Sequence, residues 1–265
     1  MLDGLASARL KLIRASEHIK TIKNSIATYA ASGPYELIRD ANGKEKINII
    51  REPPPEISIL SGEVFYQIRS ALDHLTFNLV KINPNSIALP TDWEESCSFP
   101  LKLTLPKSIQ NPPVPYGHDS FSKALPGVAK GPFTFIERLQ PYYSSGAHNP
   151  WLRRLAKLSN IDRHRHLNLT VTRIRKNELV FFDSGAKRGS WSILNHDTEL
   201  EAVIGTDYPM GRAVKTDRSF TPIVTFDEPT LPDAAKMPVD FLLDICAYTV
   251  ETFIAPEFEK FIQKP

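Results

Sequence analysis

The chain has 265 residues, 42% hydrophobic and 23% charged, with a net charge of +2 and a mean hydropathy of −0.24, the composition of a soluble globular protein able to bury a real core. Its greasiest segment, VDFLLDICAYTVETFIA, is interrupted by Asp240, Asp244 and Glu251, which excludes a bilayer span there. Cys97 and Cys246 make no disulfide framework and have no metal-ligand spacing; with no signal-peptide order at the N-terminus, a reducing, cytoplasmic setting is expected.

In chain order, the recurrence of Leu5, Leu10, Leu12, Ile13, Ile19, Ile22, Ile26 and Tyr29 at threes and fours predicts a helix over 3–31, stopped by Ser32-Gly33-Pro34. Two short β-prone runs around Asn42-Gly43 predict a hairpin. Pro53-Pro54-Pro55 then launches a long helix over 56–82, which ends before Asn83-Pro84. Residues 86–131 are rich in Pro, Ser and Asn and read as a looped excursion containing one or two short elements. PFTFIERLQPY is a short helix, and NPWLRRLAKLSNIDRHRHL a better one, with Asn149 as N-cap and Pro150 at the first helical position. From 166 to 227 the pattern turns to β in five runs, LNLTVTRI, ELVFFDS, SWSIL, LEAVIG and FTPIVTF. A helix over 239–263 closes the chain. The expectation is one α+β domain over 1–265, in which helices from both ends form a bundle and an antiparallel β region is inserted between them.

Charge is uneven. Residues 151–190 hold ten Lys and Arg against three acids, so this block carries +7 and the rest of the chain −5. That asymmetry suits a polyanion or a phosphate, with nucleic acid the commonest partner, or else a solvated face complementing the acidic C-terminal segment.

On a helical wheel with Glu63 at zero, Phe65, Ile68, Leu72, Leu75 and Leu79 fall between about 120° and 200°, with Val64 and Ala71 beside them: the core stripe. Glu63, Gln67, Ser70 and His74 form one polar row, bordered by Tyr66, Arg69 and Asp73. Asp73 stands four residues after Arg69 and can pair with it, while Ser70 or Glu63 could bond His74 and fix its tautomer. A second cluster, Asn160, Asp162, Arg163, His164, Arg165 and His166, lies at a helix-to-strand junction. If the strand has begun there, Asp162, His164 and His166 share one side and could hold a metal. If it has not, the arginine forks suit phosphate and a histidine can move its proton. Each cluster can equally be a polar packing surface. No phosphate loop, GxSxG elbow or dinucleotide fingerprint occurs.

RSALDH, with Arg69 and His74 separated by four residues on a bundle helix, resembles the signature of the HEPN nucleases. Ser70 follows the Arg where many members have Asn or Asp, and the family's usual domain is all helical. RSALDHL early with NIDRHR late also resembles a bacterial protein family to which no activity attaches. The HEPN resemblance implies a metal-independent RNA-cleaving or RNA-binding protein that needs no cofactor and works as a homodimer. Arg69 and His74 would be catalytic, with Glu63, Tyr66, Ser70 and Asp73 supporting them. Asn160, Asp162, Arg163, His164 and Arg165 would bind the RNA or another phosphate-bearing ligand. Two alternatives stand beside it: a ligand- or partner-binding protein with a structural polar network, and a metal-dependent hydrolase using Glu63, His74, Asp162, His164 or His166.

Overall fold

The computed structural model describes residues 4–39, 45–82, 88–104, 120–143, 149–183, 186–195, 220–231 and 237–263. The fold is α+β, with helices flanking a β region. The chain divides into two compact units, one of residues 1–22, 59–167 and 240–265, the other of 23–58 and 168–239.

The helical unit draws on α1 (Gly4–Ala31), α2 (Pro55–Ile82), α6 (Asn149–Asp162) and a C-terminal run of α7 (Val239–Thr249), a π-helical turn (Val250–Ile254) and α8 (Ala255–Gln263). Short helices α3 (Trp93–Ser96) and α4 (Ser120–Lys123) lie in the stretch read as a looped excursion, and α5 (Lys130–Arg138) is the short helix predicted at PFTFIERLQPY. Pro55 opens α2, where its missing N–H costs nothing, with Glu56 in the first turn and Lys81 in the last complementing the helix dipole. α1 stops as its sequence predicts: Gly33 takes φ +59° and donates its N–H to the Ala30 carbonyl at 3.2 Å.

The predicted α2 stripe is the core of this unit. Val64, Phe65, Ile68, Ala71, Leu72, Leu75 and Leu79 are all buried, each of the larger ones contributing about 2 kcal/mol of transfer free energy. From α1 come Ala8, Leu12, Ala15, Ile19 and Ile22, spaced at fours and threes. Leu10 and Ile13 face outward instead, because small alanines at 8 and 15 fill the inward positions and let the helix lie close. Phe258 of α8 is fully buried and packs on Phe99 and Phe135, ring centroids 6.2 and 6.0 Å apart. Trp151 of α6 meets Phe241 of α7 edge-on at 6.2 Å, and Arg9 reaches Glu259 at 2.6 Å, tying the two chain ends into one bundle. The predicted helix over 239–263 is continuous but underwound into the π turn at Val250–Ile254, for which the sequence carries no signal.

The second unit holds two antiparallel sheets. β1 (Tyr35–Arg39) pairs with β2 (Glu45–Ile49), Tyr35 opposite Ile49 and Arg39 opposite Glu45; the Asn42-Gly43 turn lies outside the described residues. β3 (Leu169–Asp183), β4 (Ala186–Asn195) and β5 (Phe220–Phe226) form a sheet of order β4-β3-β5. The runs LNLTVTRI and ELVFFDS are therefore one long strand. Lys176-Asn177 lacks the Gly or Pro that would break it, and β3 changes partner instead, pairing with β5 over Leu169–Arg175 and β4 over Arg175–Asp183. LEAVIG lies outside the described residues. Within this unit the buried carboxylate of Glu228 accepts the Asn168 N–H at 3.1 Å. Among the described residues, no helix is long and apolar enough to cross a membrane.

Candidate functional site

α1 and α2 run antiparallel along the polar row. Ser7 Oγ lies 2.7 Å from His74 Nδ1, and eleven residues further along α1 His18 Nε2 lies 3.2 Å from Glu63 Oε2, eleven residues back along α2. The bond that fixes the His74 ring thus comes from Ser7, not from Ser70 or Glu63, and Glu63 is engaged by His18. Ser70 is half-buried and bonds none of the described residues.

Arg69 points the other way, toward α6, donating from Nη1 to Ser159 Oγ at 3.0 Å. Ser159 in turn donates to the Ala156 carbonyl at 3.3 Å. Burial lowers the Arg69 pKa, as does Arg163, against the pull of Asp73. Asp73 lies between the two residues of the motif. Its carboxylate accepts the Phe99 N–H at 2.8 Å; burial raises its pKa, while that hydrogen bond, Arg69 and His74 all work to lower it. Burial and Lys11 hold the His74 pKa below its ordinary value, with Asp73 opposing. On an ideal wheel Arg69 and His74 are about 140° apart; they are joined electrostatically through Asp73, one serving the α6 side and the other the α1 side.

The two sequence clusters adjoin. Asp162, the last residue of α6, packs directly over Gly62 of α2, leaving no room for a Cβ at that position. Beyond Asp162 the chain neither continues as helix nor begins the strand. His164 and Arg165 both donate their N–H groups to the Ile161 carbonyl at 2.9 Å, closing a turn, and β3 starts only at Leu169. The alternating arrangement of Asp162, His164 and His166 therefore does not form. Arg163, His164, Arg165 and His166 are exposed; Arg163 donates to Asn160 Oδ1 at 2.8 Å, and Arg165 to the His166 carbonyl at 3.1 Å. Among the described residues, no group of three His, Cys, Asp or Glu side chains is placed to hold a metal ion.

A cleft of about 670 Å³ opens over this junction. Its floor is α2, with Gly62, Glu63, Tyr66 and Gln67; α1 supplies Arg14 and His18 to one wall, and Asp162 and His166 form the other. Tyr66 is 63% exposed, with Lys11 Nζ 5.4 Å from its ring centroid. Gln67 Oε1 is shut from solvent with no hydrogen-bond partner among the described residues. Burial raises the Asp162 pKa, His166 opposing. Sequence reasoning missed Ser7, Lys11, Arg14, His18 and Ser159, since α1 and α6 offer no motif. The only available signal was His18 beside the apolar stripe of α1, a position where an imidazole needs a partner. No protein-family model, no curated protein and no solved structure matches the chain.

Proposed function

We propose that the chain is a cytoplasmic, metal-independent RNA-cleaving or RNA-binding protein of the HEPN kind, acting as a homodimer, with Arg69 and His74 at its centre. One observation carries this reading: Asp73, anchored by the Phe99 N–H at 2.8 Å, couples electrostatically to both Arg69 and His74. Burial and Lys11 favour the neutral form of the His74 imidazole, against Asp73, and the neutral form is the state a general base must have. It would take the proton of a ribose 2′-hydroxyl as the 2′-oxygen bonds to the adjacent phosphorus. The phosphorus–O5′ bond then breaks, leaving a 2′,3′-cyclic phosphate, and the departing 5′-oxygen is protonated by the imidazolium or by exposed His164. Arg69, backed by Arg163, would stabilise the charge growing on phosphate.

The experiment is cleavage of labelled single-stranded RNA in the presence of EDTA. Cyclic-phosphate products are expected, with the rate falling on the order of a hundredfold or more in His74→Ala. Intact RNA that still binds reduces the reading to binding alone; RNA that neither binds nor breaks overturns it. A second reading, a structural polar network, is favoured by Ser7–His74, His18–Glu63 and Arg69–Ser159, each of which meets a need within the protein. It expects His74→Ala to lower stability and leave RNA untouched.

A further inference from the structure

The proposed centre at Arg69 and His74 leaves the neighbouring cleft without a role. Its features converge on one ligand chemistry. Tyr66 projects from the floor with 63% of its surface exposed, an aromatic plane of the sort on which an unpaired base stacks. Lys11 stands 5.4 Å from that ring and is also the charge felt by His74. One cation therefore links the aromatic plane to the imidazole, about two helical turns further along α2. Arg14, whose guanidinium also meets Glu17 at 2.9 Å, lines the α1 wall, while Arg163 and Arg165 are exposed just after Asp162, so the surroundings suit a phosphate backbone.

The acceptors in the cleft are of the opposite character. Asp162 is packed on Gly62, and its carboxylate receives no hydrogen bond from the described residues. A ligand that offers two adjacent N–H groups would satisfy the Asp162 carboxylate with both oxygens at once. Among the RNA bases, guanine alone presents such a pair on its Watson–Crick edge, at N1 and N2.

We propose that the cleft is a nucleobase subsite, in which an unpaired guanine of single-stranded RNA stacks on Tyr66 and donates N1–H and N2–H to Asp162, with Lys11 and Arg14 holding the flanking phosphates. The subsite rests on the RNA reading and extends it: it makes guanine the base that sets where along a strand His74 meets the backbone.

The test is fluorescence anisotropy with short, 2′-O-methylated single-stranded oligouridines carrying one central guanosine, inosine or adenosine, so that no cleavage intervenes. Inosine keeps N1–H and lacks the N2 amino group. The guanosine strand is expected to bind roughly 10- to 150-fold tighter than the inosine strand, the range of one hydrogen bond to a charged acceptor. Tyr66→Ala should weaken guanosine binding by a similar factor, the worth of one stacked base, with Tyr66→Trp restoring it. Asp162→Asn should abolish the preference for guanosine over inosine. Tyr66 is exposed, so its variants fold, and thermal melts check this. Equal binding of the three strands, with Tyr66→Ala within about twofold of the parent, overturns the subsite and leaves the Arg69–His74 reading standing. Failure of every strand to bind overturns both.

Discussion

Gly62→Ala tests the crossing of α2 and α6, on which the candidate site depends. In an ordinary helix interior, replacing Gly by Ala stabilises by about 1 kcal/mol, because the unfolded chain loses conformational freedom and the helix gains a better former. At position 62 the new Cβ would overlap both carboxylate oxygens and Cγ of Asp162. Asp162 ends α6, so relieving the overlap means turning its side chain out of place or shifting the end of that helix, at the ~1–3 kcal/mol typical of overpacking. The net expectation for Gly62→Ala alone is a loss of up to about 2 kcal/mol, or up to roughly 4 °C in melting temperature for a chain of this size. In an Asp162→Ala background the obstruction is gone and the same substitution should stabilise by up to ~1 kcal/mol. The signature is a change of sign, with a coupling of ~1–3 kcal/mol across the four-protein cycle measured by urea unfolding. If Gly62→Ala stabilises both backgrounds equally, the Asp162 carboxyl does not rest on Gly62 and the cleft wall is misplaced.

Other consequences are briefer. Asp73→Ala strands the Phe99 N–H and removes the charge facing half-buried Arg69, so a loss of about 1–3 kcal/mol is expected in urea melts; Asp73→Asn, which keeps an acceptor for that N–H, should cost clearly less. Because burial and Lys11 lower the His74 pKa below 6.5, the unfolded chain binds this proton before the folded one does. The His74 contribution to stability is therefore full above pH 6.5 and is lost as the pH falls through its folded value. His74→Gln should flatten the stability-versus-pH curve on that acid side, and an unchanged slope counts against the assignment. Cys97 and Cys246 have thiol pKa values pushed up to about 12, burial being the largest cause for each. Both should resist a disulfide reagent at pH 8 in the native protein and react once it is unfolded in urea.

The long helices were legible because each obeys one dominant local rule. The α2 stripe repeats at threes and fours, and every residue assigned to it is buried; α1 stops at a glycine that takes φ +59°. The join of β3 was not legible, because Lys176-Asn177 reads as a polar break, yet β3 there simply passes from one partner strand to the other. In the site, the wheel correctly set Glu63, Gln67 and His74 apart from the core but could not assign their partners. A polar row on one helix can be satisfied by whichever helix lies beside it, and the register of α1 against α2 is decided by Ala8, Leu12, Ala15 and Ile19, residues with no polar signature. Once that register is set, Ser7 falls opposite His74 and His18 opposite Glu63, and Arg69 is left to the α6 side. The five-residue interval between Arg69 and His74 thus has a structural consequence of its own. It places the guanidinium and the imidazole on different flanks of α2, and a substrate that engages both must lie across the helix over Asp73 rather than along either neighbouring groove. Asp73, which draws the Phe99 N–H toward the same point, is therefore the residue whose neutralisation should disturb both flanks at once.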